Sequence, residues 1–147
     1  EKVFSKGPEV GEIVVFFPPH KPTVPFVKRV IAKGGDKITY VNKKFYINGE
    51  IYKQDFVEKD AFGADLFTEN NSDDAYLIRH MQKTADNYKW VVPEGMYFVV
   101  GDNRDNSNDS RSWGFITEGS IWGRADFIWL SWKPGEWPNF SRAGKVK

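Results

Sequence analysis

The chain has 147 residues, a length that suits one compact domain able to bury roughly 70% of its unfolded surface. It has no cysteine, which excludes disulfides, a cysteine nucleophile and a Cys-rich zinc site. Its 21 basic and 20 acidic residues are dispersed and leave a net charge of +1, so there is no nucleic-acid-binding footprint.

No run approaches the roughly 20 apolar residues of a membrane helix, and no N-terminal secretory pattern is present. The chain starts at Glu1 rather than methionine and enters a strand-like segment almost at once, so it reads as a fragment or a processed form.

The predicted elements are β throughout. Residues 12–17 (EIVVFF) form a short apolar strand closed by Pro18 and Pro19. Residues 24–32 form a second, with the turn Lys33-Gly34-Gly35-Asp36 after it. Residues 38–53 (ITYV-NK-KFYI-NG-EIYK) alternate in three runs separated by two-residue breaks, which predicts a three-stranded meander. Asn48-Gly49 is the strongest hairpin signal, because both residues tolerate positive φ.

Residues 55–74 are polar and mixed, ending in an exposed loop at 70–74 (NNSDD). Residues 75–81, 90–93, 96–100 and 121–132 read as further strands. With no long 3.6-residue periodicity and no repeats, the fold class is all-β, as one domain with a protruding middle segment. All six Trp lie between Trp90 and Trp137. Most of this aromatic area reads as core, and a minority reading rests the Trp-rich end on a membrane interface.

Between two of the apolar runs stands GDNRDNSNDSRSWGF, residues 101–115. A calcium loop started at Asp105 would need Gly at its sixth position and Glu at its twelfth, but finds Ser110 and Ile116. A Ser-His-Asp triad has only His20, in a Pro-rich turn, and His80 to draw on, and both read as surface or structural histidines.

Lysine is the remaining base. In VPFVKRVIA, strand alternation puts Phe26, Lys28 and Val30 on one face. Burial of that face disfavours the ammonium and makes Lys28 a workable general base, whereas on an edge strand its head would lie in solvent. In the polar block, Asp102, Asp105 and Asp109 alternate with Arg104 and Arg111, so the charges can pair internally. A buried network of this kind is tolerated only when every member is satisfied, and it can brace a catalytic group.

GDNRDNSNDSRSWGF with the following ITEGSIWGRADFIWLSW resembles the C-terminal signature of bacterial type I signal peptidases. VKRVIAKGGDKI resembles that family's lysine box, GEIVVFFPP the strand before it, and WVVPEGMYFVVGDN the approach to the signature. The ending GEWP…SR resembles the proteobacterial members. The three motifs occur in family order and span most of the chain from Gly11 to Trp137.

The resemblance implies a fold of coiled antiparallel sheets. The catalytic core would be residues 1–41 and 89–147, with a small β-rich insertion at 42–88. It implies a serine endopeptidase with a Ser–Lys dyad, cutting exported preproteins after a small-x-small motif. Lys28 matches the general base, and Ser107 matches the residue whose hydroxyl orients it. Asp109 and Arg111 match a bracing salt bridge, with Asp102 and Arg29 as a second. No cofactor or metal is implied. The implied partners are preprotein signal peptides and the membrane lipid surface, with the protein a monomer. The implied location is the bacterial cytoplasmic membrane, catalytic domain on the extracytoplasmic side.

Two departures stand out. The family nucleophile lies in a Ser-Met-x-Pro motif upstream of the lysine, and these 147 residues contain none. Ser5 is too near Lys28 to take that role, so the chain alone is expected to be inactive. The lysine box reads Ala32-Lys33-Gly34-Gly35-Asp36 where many members have Gly-Leu-Pro-Gly-Asp, which alters a turn and not the base. Two rival readings are a non-catalytic relative that binds exported chains and a peptidase specialised for one substrate, such as a conjugation-pilus precursor. A self-cleaving repressor with the same dyad is disfavoured, since nothing resembles a DNA-binding helix pair.

Overall fold

The computed structural model describes residues 7–81 and 84–125. The fold is all-β, as expected, and is built from three antiparallel sheets. The first has five strands in the order β11-β10-β2-β1-β12. These are β1 (Ile13–Phe16), β2 (Phe26–Lys33), β10 (Met96–Val100), β11 (Ile116–Thr117) and β12 (Ile121–Arg124). The second, β5-β4-β3-β9, joins β3 (Lys37–Val41), β4 (Lys44–Ile47), β5 (Glu50–Ile51) and β9 (Tyr88–Val91). The third joins β6 (Lys53–Lys59), β7 (Asp65–Asn70) and β8 (Ala75–His80).

β2 carries the lysine, and its place in the sheet decides the lysine's fate. It is central, flanked by β1 and β10, so the edge-strand alternative for Lys28 does not hold. Lys28 lies opposite Val14 and shares its face with Phe26 and Val30. That face packs into a cluster of Val14, Phe16, Phe26, Val30, Tyr97, Val99, Ile116 and Ile121. The opposite face of β10, Phe98 and Val100, belongs to a second cluster with Ile31, Ala32, Ile38, Tyr40 and Phe45. A bulge divides the two along β2: Phe98 faces Ala32 and Val99 faces Val30, leaving Ile31 as the extra residue. The bulge resets the parity, so Ala32 turns away from the face of Val30 and Lys28.

The two breaks in the meander are turns at positive φ. Asn48 and Gly49 sit at φ 53 and 86, the geometry of a type I′ hairpin. The first break, Asn42-Lys43, does the same at φ 51 and 64. A lysine in this region is uncommon and costs energy. Its side chain supplies an offset: the Nζ of Lys43, itself buried, lies 2.7 Å from Oδ2 of the part-buried Asp105. After β2, Gly35 adopts φ 90, and a Cβ on Gly34 would come within 3.0 Å of the Glu94 backbone. The unusual Gly-Gly of the lysine box therefore suits a tight turn packed on the β9–β10 connection.

The middle of the chain differs from its polar, mixed reading, because residues 53–59 and 65–70 are paired strands. The inward row of β7 includes Phe67 and Glu69, and a buried carboxylate in that row hides the alternation that marks a strand. Lys53–His80 form a sheet of their own, whereas β4 and β5 pair into the sheet of β3. The polar block also holds one helical turn, α1 (Ser110–Trp113), too short for any periodicity to announce. The expected strand at 121–132 is seen as β12. The remainder of it, the Trp-rich end and Ser5 lie outside the described residues.

Candidate active site

Lys28 is 2% exposed, and its Nζ donates a hydrogen bond to Ser107 Oγ at 3.0 Å. The chemistry of this contact is set by what holds Ser107. A hydroxyl has one proton to donate. Here the amine N–H donates and the Ser107 hydroxyl oxygen accepts. This contact fixes one N–H direction of the Lys28 side chain.

Asp109 is 1% exposed and fully engaged. Its Oδ1 accepts from the backbone N–H of Arg111 at 3.1 Å, capping α1, and from Arg111 Nε at 3.0 Å. Its Oδ2 accepts from Arg111 Nη2 at 2.8 Å and from the Gly101 N–H at 3.0 Å. Desolvation, the largest single effect, pushes the carboxyl up. The Arg111 hydrogen bonds and charge, with those from Gly101 and Ser107, outweigh it and hold Asp109 below its ordinary value. Arg111 also reaches Tyr40 Oη at 3.2 Å and the Arg104 carbonyl at 2.7 Å. Beside this pair, Ser110 Oγ accepts from the Val99 N–H at 2.8 Å, tying α1 to β10.

On the other face of β2, Arg29 grips Asp102 by Nε–Oδ1 at 3.0 Å and Nη2–Oδ2 at 2.8 Å. Its third nitrogen donates to the Gly11 carbonyl at 2.7 Å, and the guanidinium lies 4.0 Å over the Tyr76 ring. The structure thus brings together all six residues singled out from the sequence, as the trio Lys28–Ser107–Asp109 with Arg111 and as the separate pair Arg29–Asp102.

The internal pairing expected of the polar block holds only for Asp109 and Arg111. Asp102 pairs with Arg29, Asp105 with Lys43, and Arg104 with Glu69. The loop lies between the sheets, so most of its charges meet partners from three other parts of the chain. Asp102, Asp105 and Asp109 are each bound to a cation, which removes the ground for a calcium loop.

Sequence reasoning missed Glu69, Gln54, Tyr76 and Lys43. Glu69 and Arg104 form a two-pronged pair, Nη2–Oε1 2.6 Å and Nη1–Oε2 3.0 Å, with neither side chain exposed. Tyr76 Oη donates to Glu69 Oε1 at 2.8 Å, and Gln54 Nε2 donates to Oε2 at 3.2 Å. Desolvation pushes the Glu69 carboxyl up, but the Arg104 charge and these hydrogen bonds hold it below the ordinary carboxylate value. Its position on the Phe67 face of a strand was the available signal. His80 is buried against Phe67, with no partner for its Nε2 among the described residues, while His20 is exposed beside Phe26 and Trp113. His20 thus lies at the surface and His80 is buried, in keeping with the reading of each as a surface or structural histidine.

The molecule is an all-β domain in which a buried lysine is held on a serine of a braced polar loop, and comparison with known proteins gives its class. Residues 2–132 match the sequence model of the family described as signal peptidase, peptidase S26, and the chain belongs to that family. It is similar to signal peptidase I of Pseudomonas aeruginosa, with 36% identity covering 99% of this chain and 58% of that protein. Signal peptidase I of Rickettsia typhi is 35% identical over 94% of this chain and 58% of its own length. The crystal structure of a signal peptidase I from Enterococcus faecalis superposes with a TM-score of 0.56 and 28% identity, covering 81% of this chain and 97% of that one. The chain thus spans a little over half the length of the first two of these relatives.

Proposed function

We propose that this chain is the catalytic domain of a serine endopeptidase that removes signal peptides from exported preproteins after a small-x-small motif, with Lys28 as general base. The observation that carries the reading is the buried Lys28 Nζ held on Ser107 Oγ by a satisfied network. In this mechanism the nucleophilic serine belongs to a segment outside these 147 residues. Lys28 takes its hydroxyl proton as Oγ bonds to the scissile carbonyl carbon. When the tetrahedral intermediate collapses, the C–N bond breaks and the Lys28 ammonium protonates the leaving amine. Water then attacks the acyl-enzyme ester as Lys28 again accepts a proton, the ester C–O bond breaks, and the Lys28 ammonium returns the proton to the serine oxygen. Ser107, Asp109 and Arg111 hold the amine, and Arg29–Asp102 fixes the strand that carries it.

The substrate would reach the site at the membrane surface, with the domain on the extracytoplasmic side of the cytoplasmic membrane and acting as a monomer. Among the described residues no helix is long and apolar enough to cross a membrane. The test is cleavage of several unrelated preproteins by the full-length protein. Processing of all of them at the expected junction supports a general peptidase, and processing of one alone supports a specialised one. No processing of any would favour a domain that binds exported chains without cutting them.

A further inference from the structure

The third sheet reaches the polar loop through Glu69. Its carboxylate, on the middle strand of that sheet, grips Arg104 by both oxygens, and Tyr76 and Gln54 hold the carboxylate in turn. Stability alone does not account for this arrangement, because a fully buried ion pair can often be replaced by apolar residues of similar volume at no cost. The two-pronged contact does fix orientation. Arg104 also donates from Nε to the Gly101 carbonyl at 3.1 Å, so the start and the middle of the loop are tied to one guanidinium.

That guanidinium stands at one end of a continuous chain of contacts. The Arg104 carbonyl accepts from Arg111 Nη2, Arg111 grips Asp109, Asp109 anchors the loop two residues after Ser107, and Ser107 accepts from Lys28. We propose that Glu69 is a positioning residue for Lys28, acting from the inserted sheet through Arg104, Arg111, Asp109 and Ser107. The proposal rests on the reading of Lys28 as the general base. The sheet of β6, β7 and β8 then has a part in catalysis without touching the substrate.

The test compares the full-length parent with Glu69→Asp and with the paired replacement Glu69→Leu/Arg104→Met, on a signal-peptide substrate. The first keeps the charge but withdraws the carboxylate by one methylene, and the second removes the pair without leaving a lone buried charge. A displacement near 1 Å at a catalytic group can cost up to about 100-fold in rate. The expected result is a fall in kcat of roughly 10- to 100-fold with KM within about threefold, together with a shifted acidic limb of the kcat/KM pH profile. Far-UV circular dichroism should match the parent. A folded variant with parental kcat and pH profile overturns the proposal. If one variant fails to fold, the other decides, and failure of both makes the pair purely structural and also overturns it. Lys28→Met runs in parallel. Its retained activity would remove the general-base reading itself, whereas an inactive Lys28→Met beside a fully active Glu69→Asp removes only the role of Glu69.

Discussion

Lys28 and Ser107 are 79 positions apart, yet Nζ and Oγ meet at 3.0 Å. The contact is made where a central strand and the polar loop face one another. The β2–β10 register brings the start of the loop beside the strand that carries the lysine, and the Asp109–Arg111 pair braces the loop two residues after Ser107.

Replacing Lys28 by Ala or Met in the full-length protein should abolish cleavage, lowering kcat by at least about 100-fold, the lower end of what a positioned general base contributes. Circular dichroism should show an intact fold, since the lysine sits on an otherwise apolar face. Turnover close to parental in a folded variant takes Lys28 out of the mechanism.

Ser107→Ala keeps the fold but removes the hydroxyl to which Lys28 Nζ donates. A kcat loss of about 100-fold with little change in KM is expected. The Ser107→Thr variant, which retains the hydroxyl, should recover part of it. Equal activity in Ala and Thr variants would show that the hydroxyl does not orient the amine.

The 147-residue chain alone is expected not to cleave a signal-peptide substrate, because it has no Ser-Met-x-Pro segment. Incubating the purified chain with such a peptide and reading products by mass spectrometry checks this. Robust cleavage at the small-x-small junction would mean that the nucleophile lies within these residues.

Arg111→Met leaves the Asp109 carboxylate buried without its cation and should cost about 3–5 kcal/mol in urea unfolding. Because the folded Asp109 carboxyl is held below its ordinary value, its stabilisation is fully present above the unfolded value near 4. It is lost as pH falls through the folded value. The difference in stability between parent and variant should therefore shrink on acidification. A difference independent of pH would contradict the pairing.

His80 gives a pH dependence of the opposite origin. Burial, then the Lys43 and Arg104 charges, hold its imidazole down at about 4, against the smaller pull of Asp105 and Glu69. Between the ordinary 6.5 and about 4 the unfolded chain binds a proton that the folded one does not, so stability falls as pH falls through that window. His80→Phe should remove a slope amounting to on the order of 3 kcal/mol between pH 7 and 4. Unfolding midpoints at several pH values read it, and parallel curves for parent and variant would refute it.

How much of this was legible in the chain varies by element. The alternation in FVKR and ITYV and the apolar run MYFVV marked strands β2, β3 and β10, and Asn48-Gly49 marked its hairpin, because these signals are local. The six candidate residues were legible through the resemblance of two motifs. β6 and β7 were obscured because a strand whose inner row carries Gln54 and Glu69 lacks an apolar period.

The sequence by itself determined the all-β class, the strands with clean alternation, the resemblance to signal peptidases and the roster Lys28, Arg29, Asp102, Ser107, Asp109 and Arg111. Tertiary structure alone decided that β2 is central, that Lys28 is buried, and that Arg104 answers to Glu69 while Asp105 answers to Lys43. The physical reason is that alternation and turn chemistry act between neighbours in the chain. The pairing of a buried charge depends on which distant carboxylate or cation the packed sheets bring within hydrogen-bonding reach.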